Sequence, residues 1–300
     1  MQSKTLIVVV GPTAVGKTAV AIQIAQQFGC EILSADSRQF YKELNIGVAR
    51  PSLNELNTVK HHFIAHLSIF DPYNVYKFEQ DVLLLLDKLF EKDNIAVMVG
   101  GSGLYVDAVC KGIDDLPDPS PELRKQIIEQ YETEGIESLK KRLKELDPEY
   151  YSIVNLTNPK RLQRAIEVCE TTGQTYSSLR KNMTHKRPFR IIKIGLNQDR
   201  EILYNRINLR VDMMLETGLL KEVESLYEYR YLNALNTVGY REIYNAMNGD
   251  ISIEQAITDI KTNSRRYAKR QLTWFKRDQE IKWFAPTEFN LIYQYLQSEI

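Results

Sequence analysis

Short apolar runs, each followed by glycine or polar residues and then by a helical period, set the frame of the first third of the chain. Residues 6–10, the stretch EILSA around Ile32 and IAVMV at 95–99 are such runs. A strand that alternates with helix in this way predicts βα units and a parallel sheet. HHFIAH at 61–66 and RIIKIGL at 190–196 read as two further strands. The texture changes near Gly112. DDLPDPSPELRKQ is a proline-punctuated loop that enters a helix, and GIESLKKRLKELDPEYY and NPKRLQRAIEVCETTG follow with helical periods bounded by Pro and Gly. Residues 113–187 therefore read as a helical insertion, with 1–112 and 188–300 forming the sheet-containing core. Beyond residue 196 the pattern is helical to about residue 280. The expected fold is α/β: a P-loop NTPase-like parallel sheet flanked by helices, with a helical insertion domain and a helical C-terminal region.

The chemistry begins at GPTAVGKT. Gly11, Pro12, Thr13, Ala14, Val15, Gly16, Lys17 and Thr18 fit the spacing G-x-x-x-x-G-K-[ST], between an apolar run and the helical AVAIQIAQQFG. A glycine-rich turn in that context aims several backbone N–H groups at one anion, and the helix dipole adds to the attraction. Lys17 supplies a mobile positive charge and the Thr18 hydroxyl a ligand for Mg²⁺. An ordinary P-loop NTPase also carries an acidic residue at the end of a later strand. Here IAVMV runs instead into GGSGLY, a second glycine turn opening a helix, with Ser102 as an N-cap or as part of a second clamp on a diphosphate. SADSRQFYKELNIGVARP, at 34–51, follows the second apolar run, so Asp36 is expected beside the phosphate loop at the carboxyl ends of the strands. It reads as a loop-closing carboxylate, a general base or a Mg²⁺-linked group.

Charge and composition narrow the partners. Lys and Arg number 39 and Asp and Glu 39, so no global field draws the chain to nucleic acid or membrane, and any such partner needs a local patch. KTNSRRYAKRQLTWFKR, at 261–277, is that patch. On a helix, Lys261, Arg265, Arg266, Lys269, Arg270, Lys276 and Arg277 share about half of the circumference. Tyr267, Ala268, Trp274 and Phe275 share the other half, with Leu272 at its border, and all five are expected to face the core. The cationic half suits phosphate contact. Arg206 and Arg210, four apart, share one helical face. The three cysteines, Cys30, Cys110 and Cys169, lie far apart and read as reduced structural thiols. His61, His62 and His66 have no companion Cys or paired carboxylate and read as structural. No apolar run is long enough to span a bilayer and no signal peptide is evident, so a cytoplasmic protein without a membrane partner is expected. With no exposed apolar heptad and no obligate protein partner evident, a monomer is expected.

Seven motifs, in order, resemble those of the tRNA dimethylallyltransferases, the bacterial-type tRNA isopentenyltransferases: GPTAVGKT, SADSRQFYKELNIGVARP, HHFI, VGGSGLY, NPKRLQRAIE, TVGYRE and AKRQLTWFKR. The resemblance runs from about Lys4 to Arg277. It implies transfer of a dimethylallyl group from dimethylallyl diphosphate to the exocyclic amine of the adenine just 3′ of the anticodon (position 37), in tRNAs reading codons that begin with U. The phosphate loop would then hold a prenyl diphosphate with Mg²⁺. By the same resemblance Asp36 is the general base, Ser102 supports the bridging oxygen, Lys17 neutralises the leaving group and Arg210 contacts the diphosphate. Asp36, Ser37, Arg38 and Gln39 match the segment that holds the flipped base, with Gln39 suited to an adenine edge; Arg38 stands where a small or apolar residue is usual. Contacts to the tRNA anticodon stem-loop are expected from Ser102, from Arg124, Lys160, Arg161, Leu162, Gln163 and Arg164 in the insertion, and from Tyr240, Arg241, Lys269, Arg270 and Gln271. The competing readings are an adenylate isopentenyltransferase acting on AMP, a P-loop small-molecule kinase, and an RNA-binding module with an inactive phosphate loop.

Overall fold

The computed structural model describes residues 4–181 and 184–300; residues 182 and 183, within the expected insertion, lie outside the described residues. Two compact units are present, one built from the chain up to Cys110 together with Lys186–Ile300, the other from Lys111–His185.

The first unit runs β1 (Thr5–Val10), α1 (Lys17–Phe28), β2 (Ile32–Ser34), α2 (Leu53–Thr58), β3 (His61–His62), α3 (Val75–Leu89), β4 (Ile95–Gly100) and α4 (Gly103–Lys111). After the second unit it resumes with β5 (Arg190–Leu196). The sheet is six-stranded, in the order β3-β2-β4-β1-β5-β6, where β6 is Lys282–Phe284, and every described pairing is parallel. TLIVVV becomes the central strand because each of its side chains has somewhere apolar to go. Leu6, Val8 and Val10 enter one layer with Phe78, Val82 and Leu86 of α3. Ile7 and Val9 enter the opposite layer with Val20, Ala21 and Ile24 of α1. β1 pairs with β4 on one side and β5 on the other, in register Thr5↔Ile95 and Thr5↔Arg190. The loops after β1, β2 and β4 consequently open side by side at the carboxyl ends of the strands, where ligands of such sheets bind.

HHFIAH contributes only His61 and His62 to the sheet. Phe63 (φ 61°) and Ala65 (φ 49°) adopt left-handed backbone, which turns the chain away from the ladder.

The second unit contains α5 (Pro121–Glu134), α6 (Ile136–Leu146), α7 (Pro148–Ile153), α8 (Pro159–Thr172) and α9 (Tyr176–Leu179). Its own core joins Ile127, Leu139, Leu143, Tyr150, Leu162, Ala165 and Ile166. The fully buried Asp147 caps α7 through the Tyr150 N–H (2.8 Å) and accepts the Ser177 N–H (2.7 Å) and hydroxyl (2.9 Å). These bonds replace the water that a buried carboxylate loses.

The remaining elements of the first unit are α10 (Arg200–Glu216), α11 (Leu219–Ser225), α12 (Tyr240–Met247), α13 (Ile253–Phe275) and α14 (Phe289–Glu299). The helical pattern expected beyond residue 196 accounts for α10–α13. The edge strand β6 is not legible in it, because three residues beside β5 become a strand by pairing rather than by periodicity. No described helix is long and apolar enough to cross a membrane.

Candidate functional site

The phosphate loop is built as its glycines require. Gly11 has φ +146°, and a side chain there would meet the Leu196 carbonyl oxygen at 2.5 Å; Gly16, at φ +108°, starts α1. Three side chains from the C-terminal helices hold the loop. On α13, Gln271 accepts the Thr13 N–H (2.8 Å) and donates to the Gly101 carbonyl (2.9 Å), tying the loop after β1 to the loop after β4. On α10, Arg206 Nε donates to the Ala14 carbonyl (2.8 Å), and Arg210 Nη1 donates to the Thr13 hydroxyl (3.3 Å). The i,i+4 spacing of the two arginines thus brings both to the loop.

Lys17 Nζ folds back onto the Pro12 carbonyl (2.8 Å). Burial lowers its pKa to about 8, with nearby Asp36 pulling it back up and Arg210 pressing it further down. Arg210 is also lowered, first by burial, with Asp36 opposing and Arg206 adding to the effect. Two cations and one carboxylate therefore meet in a poorly solvated place, which favours an anionic ligand.

Asp36 follows β2. Its carboxylate accepts the Arg38 N–H (3.0 Å), the local turn that aspartate favours. Two cavities adjoin it. One, of about 630 Å³, is lined by Gly16, Lys17, Thr18, Ser34, Arg206 and Arg210 among others. The other, of about 480 Å³, is lined by Ser37, Arg38, Ser102, Arg241 and Arg270, and by apolar Val211, Met214, Val238 and Ile260. Thr13, Ala14, Asp36, Arg210, Tyr267 and Gln271 line both. Ser102 accepts the Ser37 N–H (3.1 Å) and donates to the Ser37 hydroxyl (3.2 Å), so the loops after β2 and β4 are locked together.

Several candidates occupy places other than those expected of them. The Gln39 amide is spent inside the protein, donating to the Val48 (3.2 Å) and Ala49 (3.0 Å) carbonyls and accepting from Ser34 (3.3 Å), so it braces the wall of the cavity instead of presenting a free edge. Gln271 is 6% exposed and fully engaged with the loops. Tyr240 is completely buried, its hydroxyl donating to Glu222 (2.6 Å). Leu162 and Gln163 lie on the buried side of α8 in the second unit. Gln39 sits in the turn after β2, whereas on α8, α12 and α13 a motif residue next to surface cations is turned inward by helical periodicity. Arg124 pairs with Glu167 (3.2 Å), and Arg164 with Asp118 (3.5 Å) and Glu167 (3.6 Å). Lys160, Arg161, Lys269 and Arg270 are exposed. Arg38 reaches the carbonyls of Asn233 (2.7 Å), Ala234 (3.2 Å) and Asn236 (3.3 Å), and so anchors the segment ahead of α12 at the cavity rim.

Tyr267, expected in the core, faces both cavities instead. The signal was present: it precedes Gln271 by four residues and so shares its face of α13. Glu222, unremarked in the sequence, accepts the N–H groups of Asn45 (3.2 Å), Ile46 (2.7 Å) and Gly47 (2.9 Å) and fastens the loop that lines the cavities. His62 pairs with Glu31 (2.5 Å), and His66 packs against the rings of Phe40, Phe63 and Tyr73. Among the described residues no group of His, Cys, Asp or Glu is arranged to hold a metal ion by itself.

A phosphate loop joined to a carboxylate and to a second, cation-rimmed cavity defines a type of site that comparison can name. The sequence model of the IPP transferase family matches residues 39–278. This chain belongs to the IPP transferase family. Its relatives include a protein named tRNA dimethylallyltransferase 1 from Bacteroides fragilis, 49% identical over 300 residues and covering 100% of both chains. Among solved structures, the full-length tRNA isopentenylpyrophosphate transferase of Bacillus halodurans is similar with a TM-score of 0.72 and 32% identity, over 98% of this chain and 96% of that one. A eukaryotic dimethylallyltransferase described as acting on tRNA gives a TM-score of 0.75 at 26% identity, over 96% of this chain and 75% of that one. The family match begins at Gln39, so the phosphate loop stands ahead of it, while the full-length relatives include that region as well.

Proposed function

We propose that this IPP transferase family member transfers the dimethylallyl group of dimethylallyl diphosphate to the exocyclic amine of an adenine in tRNA, the adenine immediately 3′ of the anticodon in tRNAs that read codons beginning with U. The observation that carries the reading is the position of Asp36, on the wall common to the phosphate-loop cavity and to the cavity rimmed by Arg38, Arg241 and Arg270. A base in that position can serve an acceptor that enters from one side and a diphosphate held on the other. The names of the relatives and of the tRNA-acting structural neighbour support the choice of donor and acceptor.

The loop N–H groups, Lys17 and Arg210 would bind the diphosphate. An adenine amine is a weak nucleophile because its lone pair is delocalised into the ring. As that pair forms the new C–N bond, Asp36 accepts the amine proton, and the C–O bond to the diphosphate breaks with its electrons leaving on oxygen. Preorganised cations and N–H groups stabilise that departing charge. The oxygen donors beside the loop, Thr18, Ser34 and Asp36, suit Mg²⁺, which favours one or two carboxylates together with substrate phosphates and water. Thr18 would hold it, and when bound it would supply charge neutralisation at the diphosphate. Reading the adenine requires extruding it from the anticodon loop, and Ser37 and Arg38 border the cavity that would receive it. Arg124, Lys160, Arg161, Arg164, Lys269 and Arg270 are the proposed phosphate contacts of the anticodon stem-loop.

The test supplies purified protein and Mg²⁺ with labelled dimethylallyl diphosphate and unmodified tRNA, AMP, or neither. Prenylated adenosine recovered only from tRNA, at the position beside the anticodon, is the expected result. Label on AMP would replace the acceptor, and ATP consumption with no prenyl transfer would replace the reaction.

A further inference from the structure

The cavity-facing side of α13 carries Ser264, Tyr267, Gln271 and Trp274. Two of these are committed to structure. Gln271 bridges Thr13 and Gly101, and Trp274 Nε1 donates to Asp107 (2.9 Å). Tyr267 is different. It is 36% exposed, and it borders both cavities, so its open surface is cavity surface. Its position one turn before Gln271 carries the phenol to the phosphate loop, because Gln271 holds that loop through Thr13, the residue that Arg210 also binds. The hydroxyl lies within hydrogen-bonding reach of Ser102 and feels the Asp36 and Arg38 charges, and the Arg270 guanidinium sits 5.7 Å from the ring centroid.

The Ser102 proton is already directed to the Ser37 hydroxyl, and its oxygen already accepts the Ser37 N–H. The phenol adds a neutral donor at the junction of the cavities, which the Thr13 hydroxyl also borders. Burial and the Asp36 charge push the Tyr267 pKa up to about 12, so it keeps its proton throughout the working range.

We propose that Tyr267 is a further catalytic residue, whose phenol donates a hydrogen bond to the diphosphate oxygen that leaves the allylic carbon. This rests on the dimethylallyl-transfer reading above. No proton is transferred from the phenol. The allylic C–O bond breaks with its electron pair on the diphosphate oxygen, the adenine nitrogen forms the new bond, Asp36 takes the amine proton, and the Tyr267 hydrogen bond strengthens as negative charge gathers on the leaving oxygen.

The experiment compares wild type with Tyr267→Phe in single-turnover prenylation of unmodified tRNA from pH 6 to 9, alongside filter binding of tRNA and thermal melting. Wild type must first prenylate tRNA; if it does not, the underlying reading fails and the phenol is not at issue. With an active wild type, Tyr267→Phe is expected to turn over about 10- to 100-fold more slowly, with the magnitude of an oxyanion-type donor or somewhat less. Its tRNA affinity, melting temperature and the acid limb of its rate profile are expected to match wild type. A wild-type rate in Tyr267→Phe overturns the proposal. So does slow turnover accompanied by weakened tRNA binding, which makes the residue a binding contact, or by a displaced acid limb, which makes the phenol a partner of Asp36. Tyr267→Leu separates ring from hydroxyl: a loss confined to Tyr267→Leu would assign the work to the ring and overturn the hydrogen bond.

Discussion

Asp36 and Lys17 must both be charged at one poorly solvated spot. A carboxylate that accepts a proton must be ionised beforehand, and a lysine that neutralises phosphate must be charged. Asp36→Asn preserves shape and the turn to the Arg38 N–H. It should bind tRNA as wild type does while transfer falls by about 10²–10⁴, the usual worth of a positioned base; parallel filter-binding and single-turnover assays check both halves. Lys17 supplies the pH test. Burial lowers its pKa to about 8 in the free protein, and a bound diphosphate favours the charged form. Below that pH the site is already protonated and binding takes up no proton. Above it each binding event must add one, so affinity for dimethylallyl diphosphate should fall roughly tenfold per pH unit as the pH rises from about 8 toward 10. Calorimetry in buffers of different ionisation enthalpy should detect that proton uptake at pH 9 and none at pH 7.

At the scale of elements, the site depends on tethers between the C-terminal helices and the strand-end loops. Glu222 of α11 takes three successive N–H groups of the 45–47 loop and the Tyr240 hydroxyl. Burial and the Glu222 charge raise the Tyr240 pKa, which keeps that donor protonated. A side chain on Gly47 would meet the Tyr240 ring at 2.5 Å, so loop and helix are in direct contact. Glu222→Gln turns an amide N–H₂ toward backbone N–H groups that can only donate. A loss of about 1–3 kcal/mol is expected in urea unfolding, with a smaller loss for Tyr240→Phe, which removes one donor and strands no backbone group. Little of this was legible beforehand, since a glutamate in LLKEVES reads as a solvated helical charge. The phosphate loop, by contrast, was fully legible, because its chemistry is carried by backbone and by contiguous residues.

Across the whole molecule, 39 basic and 39 acidic side chains cancel, so attraction to RNA must come from particular surfaces. Lys269 and Arg270 on α13 and Lys160 and Arg161 on α8 present their charges to solvent, whereas Arg124 and Arg164 share theirs with Asp118 and Glu167. Lys269→Ala with Arg270→Ala should weaken tRNA binding and lower the slope of log affinity against log salt by about 1.5–2, while melting temperature stays unchanged. An unaltered slope would remove these two residues from the phosphate contacts.

The order of motifs was enough to identify the α/β sheet, the phosphate loop and the family resemblance, because strands, glycine turns and the G-x-x-x-x-G-K-[ST] spacing are local features that survive in one dimension. Which member of a motif faces a ligand was decided by packing. Gln39, Tyr240 and Gln271 stand in motifs that resemble nucleic-acid contacts, yet each is turned inward to satisfy backbone groups or Glu222, and Tyr267 turns outward from a face that looked apolar. The physical reason is that a strand-end loop has unpaired N–H and C=O groups that must be met by side chains arriving from distant helices. Sequence order does not record those meetings, and only the folded chain brings them together.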